Sequence, residues 1–418
     1  MRFNPFQPNK IVNPGMFVGR LDEILKIERY LYQAKLGNPQ NFFIEGERGI
    51  GKSSLLHYVS LIAKGRIAIP DGHRFNFLLI AADAGGVSKQ TDLVRAIARE
   101  LKSVLAKSQA VKESLKGVFN FLTDWEILGV RYHKDKEAFD PDEAKDLLVD
   151  QLVEVADDQS LGYDGVIILL DEADAPSSDA GLGEFLKTVS ERLVRRGCDK
   201  VAFGLAGLPI AIPKMRESHE SSPRMFTILH LAPLEVEERK QAIRIGIEVA
   251  NEKNEQKVTI TEGALASLAE LSEGYPHFVQ QFSYSAFEVS TDDVLDEDDV
   301  KTGAYEENGA IEQLGKKYFS EAYFGKINSD DYRKVLNSMA RYSDSWVSRK
   351  QLIHDTRLKE STINNALQSL KQKNIILVDE SRQGFYRLPT KSFAAWINAL
   401  RSVDPNEAVS AEPRIRGL

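Results

Sequence analysis

Gly46-Glu47-Arg48-Gly49-Ile50-Gly51-Lys52-Ser53 reads G-x-x-x-x-G-K-S, and its flanks decide the fold. Before it, Asn41-Phe42-Phe43-Ile44-Glu45 is an apolar run of strand length. After it, Lys52 to Ala63 places Leu55, Val59, Leu61 and Ile62 at helical spacing. Strand, glycine loop and helix make a phosphate cradle. Glycines at 46, 49 and 51 let successive N–H groups turn toward one anion, and the helix that follows adds the positive end of its dipole. The pattern predicts that the loop, with Ile50 and Ser54 included, binds a nucleoside triphosphate. Lys52 is expected at the β- and γ-phosphates and the Ser53 hydroxyl in a Mg²⁺ shell.

Outward from the loop, the chain alternates. A helix is expected from Leu21 to Ala34, a strand from Phe75 to Ala82, a helix from Thr91 to Ala106 and another from Pro141 to Ala156. Gly165 to Leu170 is wholly apolar, as in a central parallel strand; a helix from Gly181 to Arg196 and strands at Val201–Ala206 and Thr227–Leu231 follow. Strands alternating with helices predict an α/β fold, a doubly wound parallel sheet. Lys107 to Gly162 is poorly patterned apart from that fourth helix and a short candidate strand at Glu126–Tyr132. From Pro233 the strands stop, and Glu235–Glu252, Thr261–Ser272 and Pro276–Val289 read as helices. The acidic run Asp296-Glu297-Asp298-Asp299 reads as the start of another helix.

Composition narrows the classes. At 418 residues, 42% hydrophobic and 28% charged, the chain suits two or three soluble domains. No apolar run reaches a membrane span, Met1-Arg2-Phe3-Asn4-Pro5 does not open like a signal peptide, and the single Cys198 excludes an internal disulfide, so a cytoplasmic location is expected. The net charge of −8 speaks against a generally basic coat, yet Tyr332 to Leu400 holds 12 Lys or Arg against 5 Asp or Glu. A basic C-terminal module thus follows an acidic body.

The second chemical signal is Ile167-Ile168-Leu169-Leu170-Asp171-Glu172, an apolar strand ending in two acids. Asp171 suits a water-mediated hold on Mg²⁺, and Glu172 suits the base that orients and deprotonates an attacking water. Asp174 reads as a solvated third acid.

Phe17-Val18-Gly19-Arg20, GERGIGKSS, IILLDE and Ser222-Pro223-Arg224-Met225-Phe226 together resemble the AAA+ superfamily. The similarity is greatest to the archaeal-type initiator/origin-recognition ATPases and the neighbouring STAND-type signalling ATPases. The resemblance covers about Phe17 to Ser290 and extends into the C-terminal module. It implies an ATPase with Val18 and Gly19 at the adenine and Arg224 as an arginine finger reaching a neighbouring subunit, with Arg216 as runner-up. Two departures stand out. Val201-Ala202-Phe203-Gly204-Leu205-Ala206-Gly207-Leu208-Pro209 offers no polar sensor side chain, and Gly274-Tyr275-Pro276-His277 places His277 where many relatives carry an arginine. His277 is open to two readings, a phosphate contact or a capping or core residue. The departures predict slow hydrolysis, a switch more than a motor.

At the C-terminal end, Asp331–Tyr342, Ser348–Thr356 with Ser348 as N-cap, and Glu360–Lys373 read as helices, followed by strands at Ile375–Val378 and Phe385–Leu388. That order is similar to a winged helix-turn-helix. Thr362, Asn364, Asn365, Gln368 and Lys371 on the third helix, with Arg382 in the wing, are the candidate DNA contacts. The expected organisation is an ATPase domain over 1–232, a helical lid over 233–318, a linker at Phe319–Ser329 opening a winged-helix domain over 319–402, and a tail over 403–418. The function expected is an ATP- and Mg²⁺-dependent switch on duplex DNA, acting as a homo-oligomer. The competing expectation is a STAND-like signalling or defence ATPase that oligomerises with ATP and docks a protein partner.

Overall fold

The computed structural model describes residues 2–10, 17–68, 74–123, 140–343, 345–379 and 382–403. The strand expected at 126–132 and the tail from 404 onward lie outside these residues. Among the described residues, no helix is long and apolar enough to cross a membrane. The chain forms two compact units, Ile11–Ala232 and Met1–Lys10 with Pro233–Leu418. The N-terminal arm, expected with the ATPase domain, therefore belongs to the other unit. Phe6 explains this: it is 2% exposed and lies edge-on to Phe287, 6.4 Å between ring centroids, while the Arg2 guanidinium donates to the carbonyls of Phe287, Ser290 and Asp292.

The first unit is built on five parallel strands in the order β2-β3-β4-β1-β5: β1 Asn41–Glu45, β2 Leu78–Asp83, β3 Val166–Asp171, β4 Val201–Gly207 and β5 Phe226–His230. Strands β3 and β4 are buried along nearly their whole length, which explains why they read as continuous apolar runs without alternation. Helices α1 (Leu21–Lys35), α2 (Lys52–Ala63), α3 (Gln90–Leu105), α4 (Pro141–Asp157), α5 (Leu182–Arg195) and α6 (Ala211–Ser218) flank the sheet. Phe43, Ile80, Ile168 and Leu205, each 0% exposed, sit at its centre. The parallel register brings Asp83 beside Asp171 and Glu45 beside Gly207, so the carboxyl ends of the strands form one edge where polar groups collect.

The second unit opens with α7 (Val236–Lys253), α8 (Glu262–Leu271), α9 (Pro276–Val289) and α10 (Glu297–Tyr305), with a short parallel pair, β6 Thr259–Ile260 and β7 Val294–Leu295, between them. The acidic run does start α10: Asp296 accepts hydrogen bonds from the N–H groups of Asp298 and Asp299, and Asp299 reaches back to the Asp296 N–H. The segment expected as a linker is instead largely helical. After α11 (Ala310–Leu314) come two π-helical turns, Gly315–Phe319 and Glu321–Gly325. Phe319 and Tyr323 are buried, with ring centroids 6.0 and 5.7 Å from Trp396. Then follow α12 (Asp330–Ala340), α13 (Arg349–Thr356), α14 (Glu360–Gln372) and an antiparallel sheet ordered β8-β10-β9, with β8 Val347–Ser348, β9 Leu377–Val378 and β10 Phe385–Arg387. A last helix, α15 (Lys391–Val403), which the sequence pattern did not predict, carries Trp396 into the aromatic cluster.

Candidate functional site

In the first unit the loop between β1 and α2 takes the conformation its glycines allow. Gly49 and Gly51 have φ of 80° and 101°, a region costly for other residues. Gly46 has no room for a side chain, since a Cβ there would lie 2.8 Å from Ile50 Cγ2. The Lys52 ammonium donates to the carbonyls of Gly46 and Glu47, each at 2.9 Å, curling over the loop it belongs to. Burial lowers the Lys52 pKa, opposed by the attraction of Asp174 and Asp171. Ser53 and Ser54 occupy the first turn of α2, Ser53 exposed. Val18 and Gly19 are half-buried just before α1, and the next residue, Arg20, is buried and donates to the Ile50 carbonyl at 3.1 Å. Arg20 thus braces the loop, a role its sequence position did not announce.

The acids converge on the same edge of the sheet. Asp171 ends β3 and accepts the Glu172 N–H at 2.9 Å, and Glu172 holds φ of 53°, an uncommon conformation for a side-chain-bearing residue. Asp83 ends β2, one residue past the strand read from sequence, and its carboxylate accepts the Gly85 N–H at 2.6 Å. A Cβ on Gly85 would collide with the Glu172 carboxylate and stand 3.0 Å from Asp83, so a glycine is what lets the two acids share this corner. The Asp83 charge, then burial, then Asp171 push the Glu172 carboxyl above its usual range, while Arg48 opposes them. Asp174 is not simply solvated: Oδ1 accepts the Leu208 N–H at 2.8 Å. Among the described residues no group of three or more His, Cys, Asp or Glu is arranged to hold a metal alone. Mg²⁺ on a triphosphate needs only one or two protein ligands, and the Ser53 hydroxyl with the Asp171 carboxylate is a hard-oxygen set of that kind.

Arg224 lies in the single turn Ser222–Met225, exposed, its guanidinium with no hydrogen bond or ion pair to any described residue; the guanidinium of Arg216, on α6, is likewise exposed and unpaired among the described residues.

In the second unit His277 lies in the first turn of α9, against Tyr318 at 5.1 Å and Phe278 at 6.4 Å between ring centroids. Its Nε2 is buried with no hydrogen-bond partner among the described residues, and burial, aided by Lys317, lowers its pKa to about 4. The side chain is thus partly buried against aromatic rings.

The module of α12–α15 holds a groove of about 830 Å³ between α14 and the β9–β10 wing. Asn364, Gln368 and Lys371 form one wall; Gln383, Gly384 and Phe385 form the other; Leu367, Val378 and Tyr386 also line it, and Ser348, Arg349 and Lys350 complete it. Among the described residues, three cations and no carboxylate line it. Arg349 donates to Asn364 Oδ1 at 3.0 Å and pairs with Glu360 at 3.3 Å. Thr362 and Asn365 do not line this groove. Arg382 is committed within the wing turn, its Nε 2.7 Å from Asp379 and its guanidinium 4.7 Å over the Phe385 ring. Ser348 caps α13 as expected, accepting the Gln351 N–H at 3.2 Å.

With the phosphate-loop geometry in place, comparison with known proteins is decisive for the first unit: residues 16–196 match the AAA ATPase domain family. The match spans under half of the chain and is a likeness to that family over those residues. The matched residues include the phosphate loop between β1 and α2 and the paired acids at the end of β3. An uncharacterized HTH-type transcriptional regulator of Methanocaldococcus jannaschii is 26% identical over 283 residues, 66% of this chain and 64% of the relative, so the chain spans under two thirds of that protein. A Walker-type ATPase of Pyrococcus abyssi shares the fold at a TM-score of 0.57 and 16% identity, covering 91% of this chain and 95% of that one. The ORC2 protein of Aeropyrum pernix, solved in ADPNP–ADP complexes, shares it at 0.59 and 14% identity, covering 96% and 98%. The fold shared with these two structures thus covers nearly the whole chain.

Proposed function

We propose that this protein is an ATP-dependent switch that binds duplex DNA through its C-terminal winged helix and hydrolyses ATP slowly. The observation that carries the reading is the groove between α14 and the wing, lined among the described residues by Arg349, Lys350 and Lys371 and by no acid. Asn364 and Gln368 beside these cations suit base edges, and the cations suit phosphates. In the ATPase domain, the loop N–H groups and Lys52 cradle the triphosphate, Val18 and Gly19 sit at the base, and Ser53 and Asp171 hold Mg²⁺. Bound Mg²⁺ supplies charge neutralisation at the phosphates. Glu172, with its carboxyl raised by Asp83, accepts a proton from the attacking water, and Arg224 stands ready for a neighbouring subunit's nucleotide in a homo-oligomer. The apolar Leu205, Ala206 and Leu208 at the end of β4 offer no side-chain donor to the γ-phosphate, which makes turnover slow.

A second reading has an observation of its own. Leu21, Leu25, Tyr32 and Leu36 are 63%, 43%, 45% and 62% exposed and fall on one face of α1 and its C-cap, a stripe suited to a protein partner in a STAND-like assembly. Duplex-DNA binding, measured against salt with and without ATP and Mg²⁺ for wild type and Lys52→Ala, separates the two. ATP-stimulated binding that weakens steeply with salt and is lost in Lys52→Ala is the expected result. Equal binding by both proteins overturns the coupling, and no binding with an ATP-dependent rise in solution mass favours the assembly reading.

A further inference from the structure

The bare end of β4 is braced from elsewhere. Asp174, three residues past the end of β3, lays its carboxylate against the β4 backbone, where Oδ1 accepts the Leu208 N–H at 2.8 Å. Gly207 makes the approach possible: a Cβ there would stand 3.1 Å from Asp174 N, 3.2 Å from Asp174 Oδ1 and 3.3 Å from Phe43 Cζ. The same loop is gripped from α6. Lys214 Nζ donates to the Asp174 carbonyl at 2.5 Å and the Pro176 carbonyl at 3.1 Å, and the Ser178 hydroxyl donates to the Glu217 carboxylate. From α6 the connections run on to the arginine-bearing turn, for the Met215 carbonyl accepts from Ser218 Oγ at 2.9 Å and Ser222 Oγ at 3.0 Å. Ser222 opens the turn that carries Arg224. Asp174 is also the strongest attractive charge acting on Lys52.

We infer that Asp174 is a positioning residue that joins the acids after β3 to the end of β4 and, through Lys214, to the segment bearing Arg216 and Arg224. It fixes the end of β4 from the β3 loop by a carboxylate-to-backbone hydrogen bond, without supplying a donor to the γ-phosphate. Two consequences of Asp174 are separable by chemistry. Asparagine keeps an acceptor for the Leu208 N–H and removes the charge; alanine removes both.

The inference rests on the ATPase reading above, and the test keeps the two apart. In the full-length protein, steady-state ATP hydrolysis is measured for wild type, Lys52→Ala, Asp174→Asn and Asp174→Ala. Asp174→Ala is expected to lower kcat roughly tenfold, as loss of an outer orienting partner does, with KM for ATP within about twofold of wild type. Asp174→Asn is expected to restore most of kcat. Wild-type turnover in Asp174→Ala, or Asp174→Asn as impaired as Asp174→Ala, overturns the inference, the latter assigning the effect to charge on Lys52. If wild type hydrolyses no faster than Lys52→Ala, the ATPase reading has failed instead. Should Asp174→Ala not fold, Lys214→Met frees the same loop from α6; a kcat loss without a KM change supports the inference, and unchanged kcat overturns it.

Discussion

Replacing His277 by phenylalanine should flatten the acid side of the second unit's stability curve. The native imidazole sits against Tyr318 and Phe278 with Nε2 unpaired among the described residues, and its pKa falls from 6.5 to about 4. Burial is the larger cause, and the Lys317 ammonium, which donates to Asn9 Oδ1 at 2.5 Å and Gln281 Oε1 at 3.3 Å, adds repulsion. Between these two pH values the unfolded chain binds a proton that the folded one refuses. Stability therefore rises with pH across the window and falls as the solution is acidified. Each unit of displacement corresponds to about 1.4 kcal/mol, so the full effect is on the order of 3 kcal/mol. Phenylalanine keeps an aromatic ring in an aromatic cluster and removes the titration. Denaturant unfolding of both proteins between pH 4 and pH 8 gives the difference curve, in which the carboxylates common to both cancel. The stability of His277→Phe relative to wild type should climb by about 3 kcal/mol as pH drops through the window and stay level above neutrality. A difference curve level throughout would refute burial of a neutral imidazole. The same variant should bind ATP within about twofold of wild type at neutral pH, because a neutral ring lends the phosphates no charge.

The groove and the helical segment before α12 each give a direct test. Arg349→Ala and Lys371→Ala should each weaken duplex-DNA binding and reduce the slope of log affinity against log salt by about 0.9 for every phosphate no longer neutralised, while Asn365→Ala, outside the groove, leaves both unchanged in an equilibrium titration. Phe319→Ala should cost about 3–5 kcal/mol in thermal or denaturant unfolding, as truncation of a core aromatic does; a cost below about 1 kcal/mol would return the segment to the status of a connector.

The first unit was legible because its information is local. Strands β3 and β4 are buried along nearly their whole length and so appear as uninterrupted apolar runs, and the phosphate loop is an octamer whose glycines have one steric purpose. The region after α11 was illegible for an equally physical reason. A π turn closes i to i+5, so apolar residues fall out of phase with the 3.6-residue period by which helices are recognised. Tyr318, Phe319, Tyr323 and Phe324 have no readable pattern, although Trp396, far along the chain, gathers Phe319, Tyr323 and Phe324 into one cluster. The N-terminal arm is the same case, since Phe6 finds its partner 281 positions later, beyond the reach of any local window.

Among the site residues the division runs between identity and placement. Lys52, Asp171 and Glu172 follow from motif and strand end, whereas Asp83 and Gly85 matter only because β2 lies beside β3, a fact of sheet order. On α14 part of the placement was available in advance. At 100° per residue Asn364, Gln368 and Lys371 fall within about 60° of one another, whereas Asn365 is turned about 100° from Asn364 and Thr362 about 160°. A polar face read as one surface was therefore two, and only the face toward the wing lines the groove. Asp174 carries the argument furthest. As a lone acid after a strand it has no sequence signature that separates it from a solvated carboxylate. Its significance appears once β4, lacking a polar side chain of its own, is found to run beside it and to present a backbone N–H through the gap that Gly207 leaves. The bare end of one strand is thus braced by a residue on the neighbouring loop, a contact that inspection of either segment alone does not reveal.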